Sequence, residues 1–171
     1  FERPELPVRL LHARRIQSRP FPLMYHPAAE IQFFKYGRGS FLIGNRNYPF
    51  KPHTVLTIRP KLAHSFNANP DSVYEKYVLQ FLPVLAGHWL QRVPPCVYVT
   101  DIEASVIEFA LQRIGEELKK RERRWTEMVR LKLQEILYLL ERVGARPNRV
   151  APSSPLIGQI TDYIDRHLPT G

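Results

Sequence analysis

The stretch from Tyr25 to Phe81 constrains the fold more than any other part of this chain. It breaks into short runs rich in aromatic and β-branched residues, each bounded by Gly, Pro or Asn. Short strands punctuated by turn residues read as an all-β sandwich or barrel. Twelve of the nineteen aromatic residues fall between Phe21 and Phe81, so most of the bulky core-forming side chains belong to this part. The pattern predicts strands over Ala29–Tyr36, Ser40–Ile43, Tyr48–Phe50, Thr54–Ile58 and Val73–Phe81, with a tight turn at Gly44-Asn45-Arg46-Asn47. In the first strand Ile31 and Phe33 alternate with Glu30, Gln32, Phe34 and Tyr36. In the last, Val73, Tyr77, Leu79 and Phe81 alternate with Tyr74, Lys76, Val78 and Gln80. Each long strand therefore has one strongly apolar face and one mixed face. Alternation alone leaves two places for the mixed face, bulk solvent on an open sheet or a wet pocket inside a closed one.

The 171 residues suffice for one domain with appendages and a core that needs no staples. A single cysteine, Cys96, excludes an internal disulfide framework and a cysteine-rich zinc site, and reads as a small buried hydrophobe. No apolar run approaches the ~18 residues of a membrane span, and no signal peptide opens the chain, so the cytoplasm is the expected compartment. The net charge of +9 is unevenly spread: residues 1–100 carry 13 Lys/Arg against 5 Asp/Glu, and residues 101–143 carry nine of each. The excess lies on the β part, where it suits an anionic ligand, a position near DNA, or simply a solvated basic surface.

Residues 1–22 hold four prolines and the basic pair Arg14-Arg15, and read as an N-terminal arm with a short strand near Val8–His12. After Phe81 the periodicity changes. Residues 82–95 form a Pro-flanked connector with a short helix near Leu85–Gln91. Thr100-Asp101-Ile102-Glu103 is a capping box that opens a helix over 101–121, with Ile107, Leu111, Ile114 and Leu118 as its stripe. A second helix over 125–143 carries Val129, Leu133, Ile136, Leu140 and Val143 at coiled-coil-like spacing, with Leu137 alongside. Leu131, Tyr138 and Leu139 lie off that seam, so the helix has two apolar faces. One reading covers the seam with a second copy of the chain; the other packs both faces inside one protomer. Residues 144–155 are Pro- and Ser-rich and read as a linker. Residues 156–171 form an amphipathic stub too small to fold alone, which predicts that a second domain follows.

No catalytic constellation is legible: there is no Gly-x-Ser-x-Gly, no phosphate-cradling loop and no cysteine–histidine pattern. His26, Glu30 and His64 have the residue types of a two-histidine, one-carboxylate metal site. Against this, His64 follows a turn proline and suits a local hydrogen bond, and His26 sits in a Pro-bounded turn.

The order His26-x3-Glu30, Gly37, Gly39, a strand–turn–strand ending near Pro52, and Pro60-x3-His64 resembles the sensing domains of AraC-type transcription regulators. Ile157, Ile160, Tyr163, Ile164 and His167 resemble the opening helix of that family's C-terminal helix-turn-helix domain. The resemblance implies a cupin-like barrel, of the double-stranded β-helix or jelly-roll type, followed by two antiparallel helices. It divides the chain into an arm (1–22), a sensing barrel with connector (23–100), a helical dimerisation pair (101–143), a linker (144–155) and the stub of a DNA-binding domain (156–171). It implies a regulator rather than an enzyme, with no cofactor, sensing a small molecule; polar groups between aromatic walls suit a small polar effector such as a sugar or small organic acid. DNA would be reached only through the following domain. It turns the mixed face inward and implies a pocket of Tyr36, His64, Phe66, Lys76 and Val78, to which alternation adds Glu30, Gln32 and Phe34. It implies a homodimer through helix 125–143, with Val129, Leu133, Ile136, Leu137, Leu140 and Val143 at the interface. Two departures stand out. Met24 replaces a histidine usual in cupin metal sites, and Pro52-His53-Thr54 stands where a Pro-Gly-Asp turn is common. The alternative is a metal-dependent cupin enzyme, an isomerase or oxygenase, using His26, Glu30 and His64.

Overall fold

The structure, a computed structural model, describes residues 8–16, 21–70 and 72–155. Among these residues eight strands precede two helices. They are β1 (Val8–Ile16), β2 (Ala29–Tyr36), β3 (Gly39–Ile43), β4 (Arg46–Phe50), β5 (Thr54–Ile58), β6 (His64–Ala68), β7 (Val73–Phe81) and β8 (Cys96–Tyr98). The helices are α1 (Asp101–Lys120) and α2 (Trp125–Gly144), and a two-residue strand, β9 (Ser154–Pro155), follows. One sheet has the order β1-β7-β2-β5-β8, the other β6-β3-β4-β9. All pairings are antiparallel. The switch from strand to helix near residue 100 falls where the periodicity changes.

Two hydrophobic cores follow from the alternation of β2 and β7. Ile31, Phe33, Tyr77, Leu79 and Phe81 point away from the second sheet and pack with Ile107, Leu111 and Ile114 of α1 and with α2. Phe34 and Tyr74 point the other way and pack between the sheets with Phe41, Phe50, Leu56 and Phe66. The first core glues the helices to the barrel; the second holds the barrel closed. Gly39 permits the closure at one edge, since a Cβ there would stand 2.2 Å from the Asn67 carbonyl oxygen.

Helix α1 begins as its capping box requires. Glu103 N donates to Thr100 Oγ1 at 3.2 Å, and Thr100 N donates to Glu103 Oε2 at 2.8 Å. Glu103 also pairs with Arg146, which ties the segment after α2 back to the start of α1. His53 takes a left-handed backbone (φ 64°), the conformation a glycine would favour in that turn.

Several expectations need correction. Residues 8–16 are not a loose arm: β1 pairs with β7 along its whole length, from Val8↔Phe81 to Ile16↔Val73. Residues 144–155 are not a free linker. Ala151 is buried and donates its N–H to the Cys96 carbonyl, and β9 pairs with β4. The expected stub at 156–171 lies outside the described residues.

The largest correction concerns α2. Val129, Leu133, Ile136, Leu137, Leu140 and Val143 are all buried in the first core of this same chain, none more than 1% exposed. They cannot also be a surface for a second copy. The spacing that marks a coiled-coil seam marks equally a helix packed on a sheet, and here the strong seam took the core. Met128, Leu131 and Tyr138 are the apolar side chains that α2 leaves exposed. Leu140→Ala should therefore cost about 2–5 kcal/mol of stability, whereas Leu131→Ala should stay within about 0.5 kcal/mol. Chemical denaturation of the two variants checks this; equal costs would refute the packing assigned to α2.

Candidate ligand cavity

Alternation along β2 and β7 brings Glu30, Gln32, Lys76, Val78 and Gln80 to the inner face of the larger sheet. The register fixes their spacing: Glu30 lies opposite Gln80, Gln32 opposite Val78 and Phe34 opposite Lys76. From the facing sheet β6 supplies His64 and Phe66. Together they line a cavity of about 220 Å³, closed on one side by β1 and by Phe21.

The polar groups form a connected chain. Gln32 Nε2 donates to Glu30 Oε2 at 2.7 Å, and Gln80 Nε2 donates to Glu30 Oε1 at 2.5 Å. His26 Nε2 lies 2.7 Å from Glu30 Oε1. Lys76 Nζ donates to Gln32 Oε1 at 2.8 Å. Glu30 is 1% exposed and Lys76 6%. Burial raises the Glu30 pKa, but the adjacent His64, followed by the amides of Gln80 and Gln32, outweighs it, so the group falls to about 2. Burial dominates at Lys76 and pushes its ammonium down to about 7, although the charge of Glu30 works the other way. The rest of the lysine environment is aromatic: Nζ lies 3.5 Å from the Phe66 ring centroid, 5.3 Å from that of Phe34 and 5.5 Å from that of Phe21.

His64 is 2% exposed. Its Nδ1 donates to the Leu62 carbonyl at 2.9 Å. Its Nε2 has no hydrogen-bond partner among the described residues; Glu30 Oε2 stands 3.6 Å away, a charge–charge distance rather than a hydrogen bond. Burial lowers the His64 pKa, but the Glu30 carboxylate and the Leu62 carbonyl outweigh that and leave it raised. In His26 Nδ1 lies 3.1 Å from the Ala28 carbonyl oxygen. The two rings thus aim Nε2 at one carboxylate, with the ligand atoms of His26, Glu30 and His64 all within 4.8 Å of one another. Three donors of this kind fit a divalent transition metal. Met24 lines the cavity and bridges to His64 through backbone hydrogen bonds, so a thioether stands at the sequence position where a third nitrogen donor was looked for.

Of the residues expected in a pocket, Glu30, Gln32, His64, Phe66, Lys76 and Val78 line the cavity. Phe34 is fully buried behind the cavity wall, stacks on Phe50 and meets the lining residues Phe41, Phe66 and Lys76. Tyr36 is not part of it. A β-bulge between Phe34 and Tyr36 shifts the register, so that Tyr36 pairs with Glu75 and is 51% exposed. Among the cavity residues that were not expected are Gln80, Tyr74 and Phe41, together with Phe21 and Arg15 from the N-terminal part. Gln80 has the same parity as Lys76, which was the available signal. For Phe21 and Arg15 the available signal was the alternative reading of residues 1–22 as a lid over a pocket, which singles out neither residue.

The antiparallel barrel keeps a polar cavity between its sheets and carries two helices on its outer face. Residues 6–140 match the family described as the AraC-like ligand binding domain, and the chain belongs to that family. No curated protein matches the sequence. Among solved structures, apo ToxT from Vibrio cholerae aligns over 96% of this chain and 66% of its own, with a TM-score of 0.57 and 8% identity. A cupin 2 conserved barrel protein from Rhodopseudomonas palustris covers 47% of this chain and 56% of its own (TM-score 0.40, 18% identity). The DMSP lyase DddQ from Ruegeria pomeroyi covers 44% and 38% (TM-score 0.40, 21% identity). This chain therefore spans about two thirds or less of each of these proteins. The fold is cupin-like, with two helices after the barrel. Among the described residues no helix is long and apolar enough to cross a membrane.

The Lys76 environment has a pH signature. Its pKa is lowered on folding, from 10.5 to about 7. Between those values the unfolded chain binds the extra proton, so stability contributed at this site rises with pH. The denaturation midpoint of Lys76→Met should lose the part of the wild-type rise seen between pH 7 and pH 9.5. Parallel pH profiles for the two proteins would contradict the assignment.

Proposed function

We propose that this chain is the effector-sensing part of an AraC-type transcription regulator. The observation that carries this is the cavity itself: a buried lysine, a buried carboxylate and two amides face a space walled by aromatic rings. Such groups suit a small oxygen-rich ligand, a sugar or a small organic acid. The amides and Lys76 hydrogen-bond its oxygens, and Phe21 and Phe66 cover its apolar edges. The two rings already stack on each other at 4.1 Å between centroids. β1 forms part of the cavity wall and packs against α1, so an occupied cavity has a physical route to the helical layer. That layer in turn would act on a DNA-binding domain following residue 155, the part that contacts DNA. Pairing with a second copy belongs to the same reading. It would use the exposed face of α2 around Leu131 and Tyr138, since the buried seam is not available.

A thermal-shift screen of sugars and small carboxylic acids tests the sensing role. A ligand of this class should raise the melting temperature by several degrees, and Gln32→Leu should reduce that rise at least by half. A screen in which no sugar or acid stabilises the protein, or in which Gln32→Leu responds as the wild type does, would overturn the assignment of this cavity.

A second reading, a metal-dependent cupin enzyme, is favoured by one observation. With Nδ1 of His64 and of His26 directed at backbone carbonyls, two Nε2 atoms face the Glu30 carboxylate. Lone pairs so placed repel the carboxylate unless a proton or a divalent cation lies between them. A bound metal would act there as a Lewis acid, with His26, Glu30 and His64 holding it. Elemental analysis of purified protein decides between the two: about one zinc, iron or manganese per chain, lost in His64→Ala, supports the metal. Metal-free protein that does not take up zinc in a titration rules it out.

A further inference from the structure

Lys76 differs from an ordinary buried lysine in how it is paired. It lies opposite Phe34 on β2 and Ala13 on β1, in the middle strand of three, and is 6% exposed. A buried ammonium usually meets a carboxylate. Here the hydrogen bond goes to a neutral amide oxygen, that of Gln32, which is itself anchored on Glu30. Aromatic rings surround the rest of the nitrogen, and the cavity opens directly onto it. Two features of a reactive amine are therefore present together, a desolvated nitrogen and an adjoining space that fits a small molecule.

We propose that Lys76 is a covalent ligand site, at which Nζ condenses with the carbonyl carbon of a small aldehyde or ketone held in the cavity. The nitrogen forms a bond to the carbonyl carbon and the carbon–oxygen bond breaks. The ammonium and the carbonyl compound together give a protonated imine and one water, so that two protons leave with the oxygen and the positive charge stays on nitrogen. No oxidant, reductant or third reactant is needed. Retention of the charge matters, because the Phe66 ring 3.5 Å away interacts with an iminium as it does with the ammonium. The attacking species is the free amine. With its pKa pushed by burial from 10.5 to about 7, Lys76 holds a free-amine fraction at pH 7 about a thousand-fold above that of an ordinary lysine. The side chain of Arg15 lines the same cavity and supplies a cation for a carboxylate next to the carbonyl, so 2-oxo acids are the best-matched class.

This inference rests on the sensing reading and narrows its ligand class, but the two fail separately. The test uses the full chain at pH 7 with glyoxylate or pyruvate, trapped by sodium cyanoborohydride and mapped by peptide mass spectrometry. Glycolate and lactate, which lack the carbonyl, serve as parallel probes in a thermal-shift assay. The expected result is reductive alkylation of Lys76 at least about ten-fold faster than of any other lysine, competed by the matching hydroxy acid. Lys76→Arg should leave only the slow background. Modification spread over exposed lysines such as Lys61, with Lys76 untouched, overturns the imine. If glycolate and lactate stabilise the protein as well as their carbonyl counterparts while Lys76 stays unmodified, sensing stands and the covalent step is wrong. If none of the four compounds binds or reacts, the 2-oxo acid proposal is likewise wrong, and sensing is left to the broader screen.

Discussion

The structure depends on the two faces of β2. This strand lies between β5 and β7 and is buried on both sides. One face, Ile31 and Phe33, carries the helices; the other, Glu30 and Gln32, looks into the barrel. Because side chains alternate strictly along a strand, a one-residue slip would put a carboxylate under α1 and a phenyl ring in the cavity. The register of β2 with β7 therefore sets both the packing of the helical layer and the chemistry of the pocket. The bulge after Phe34 ends this arrangement at the point where polar lining is no longer needed, and turns Tyr36 to solvent.

The inward polar groups form a chain from His26 through Glu30 and Gln32 to Lys76. Two groups at this chain are incompletely satisfied. His64 Nε2 has no hydrogen-bond partner among the described residues, and Lys76 meets an amide where an ammonium favours a carboxylate. Burying charged groups this way costs stability unless something else completes the set. A barrel closed only by Phe34, Phe41, Phe50 and Phe66 would be simpler and drier. On the proposed sensing role, a ligand in the cavity completes the polar chain.

Much of this was legible in the sequence, for physical reasons. Alternating strands announced both faces of β2 and β7, and the capping box at Thr100 located α1 to within a residue. Proline and glycine placed the ends of β5 and the turn before β3. What the sequence concealed was of three kinds. A β-bulge has no signature of its own, so neither the resemblance that put Tyr36 in the pocket nor the alternation consistent with it registered the shift after Phe34. Very short pairings such as β8 and β9 are set by tertiary contacts rather than local pattern, so the chain after α2 read as a linker. The apolar periodicity of α2 showed that a seam exists but not what covers it, and the seam at Leu133 and Leu140 turned out to face its own barrel.

The central claim is that the inward polar chain serves a ligand rather than the stability of the barrel. One measurement separates these directly: the unfolding free energy, by chemical denaturation at pH 7, of a variant carrying Glu30→Leu, Gln32→Leu, His64→Leu, Lys76→Met and Gln80→Leu together, which leaves only the part-exposed His26 of the set. Removing a complete set of buried polar groups in favour of apolar ones of similar size is often neutral or stabilising by about 1–4 kcal/mol. The account predicts a variant at least as stable as the wild type that no longer binds small polar compounds. A loss of about 3 kcal/mol or more would show that the barrel needs these residues to fold, and would contradict it.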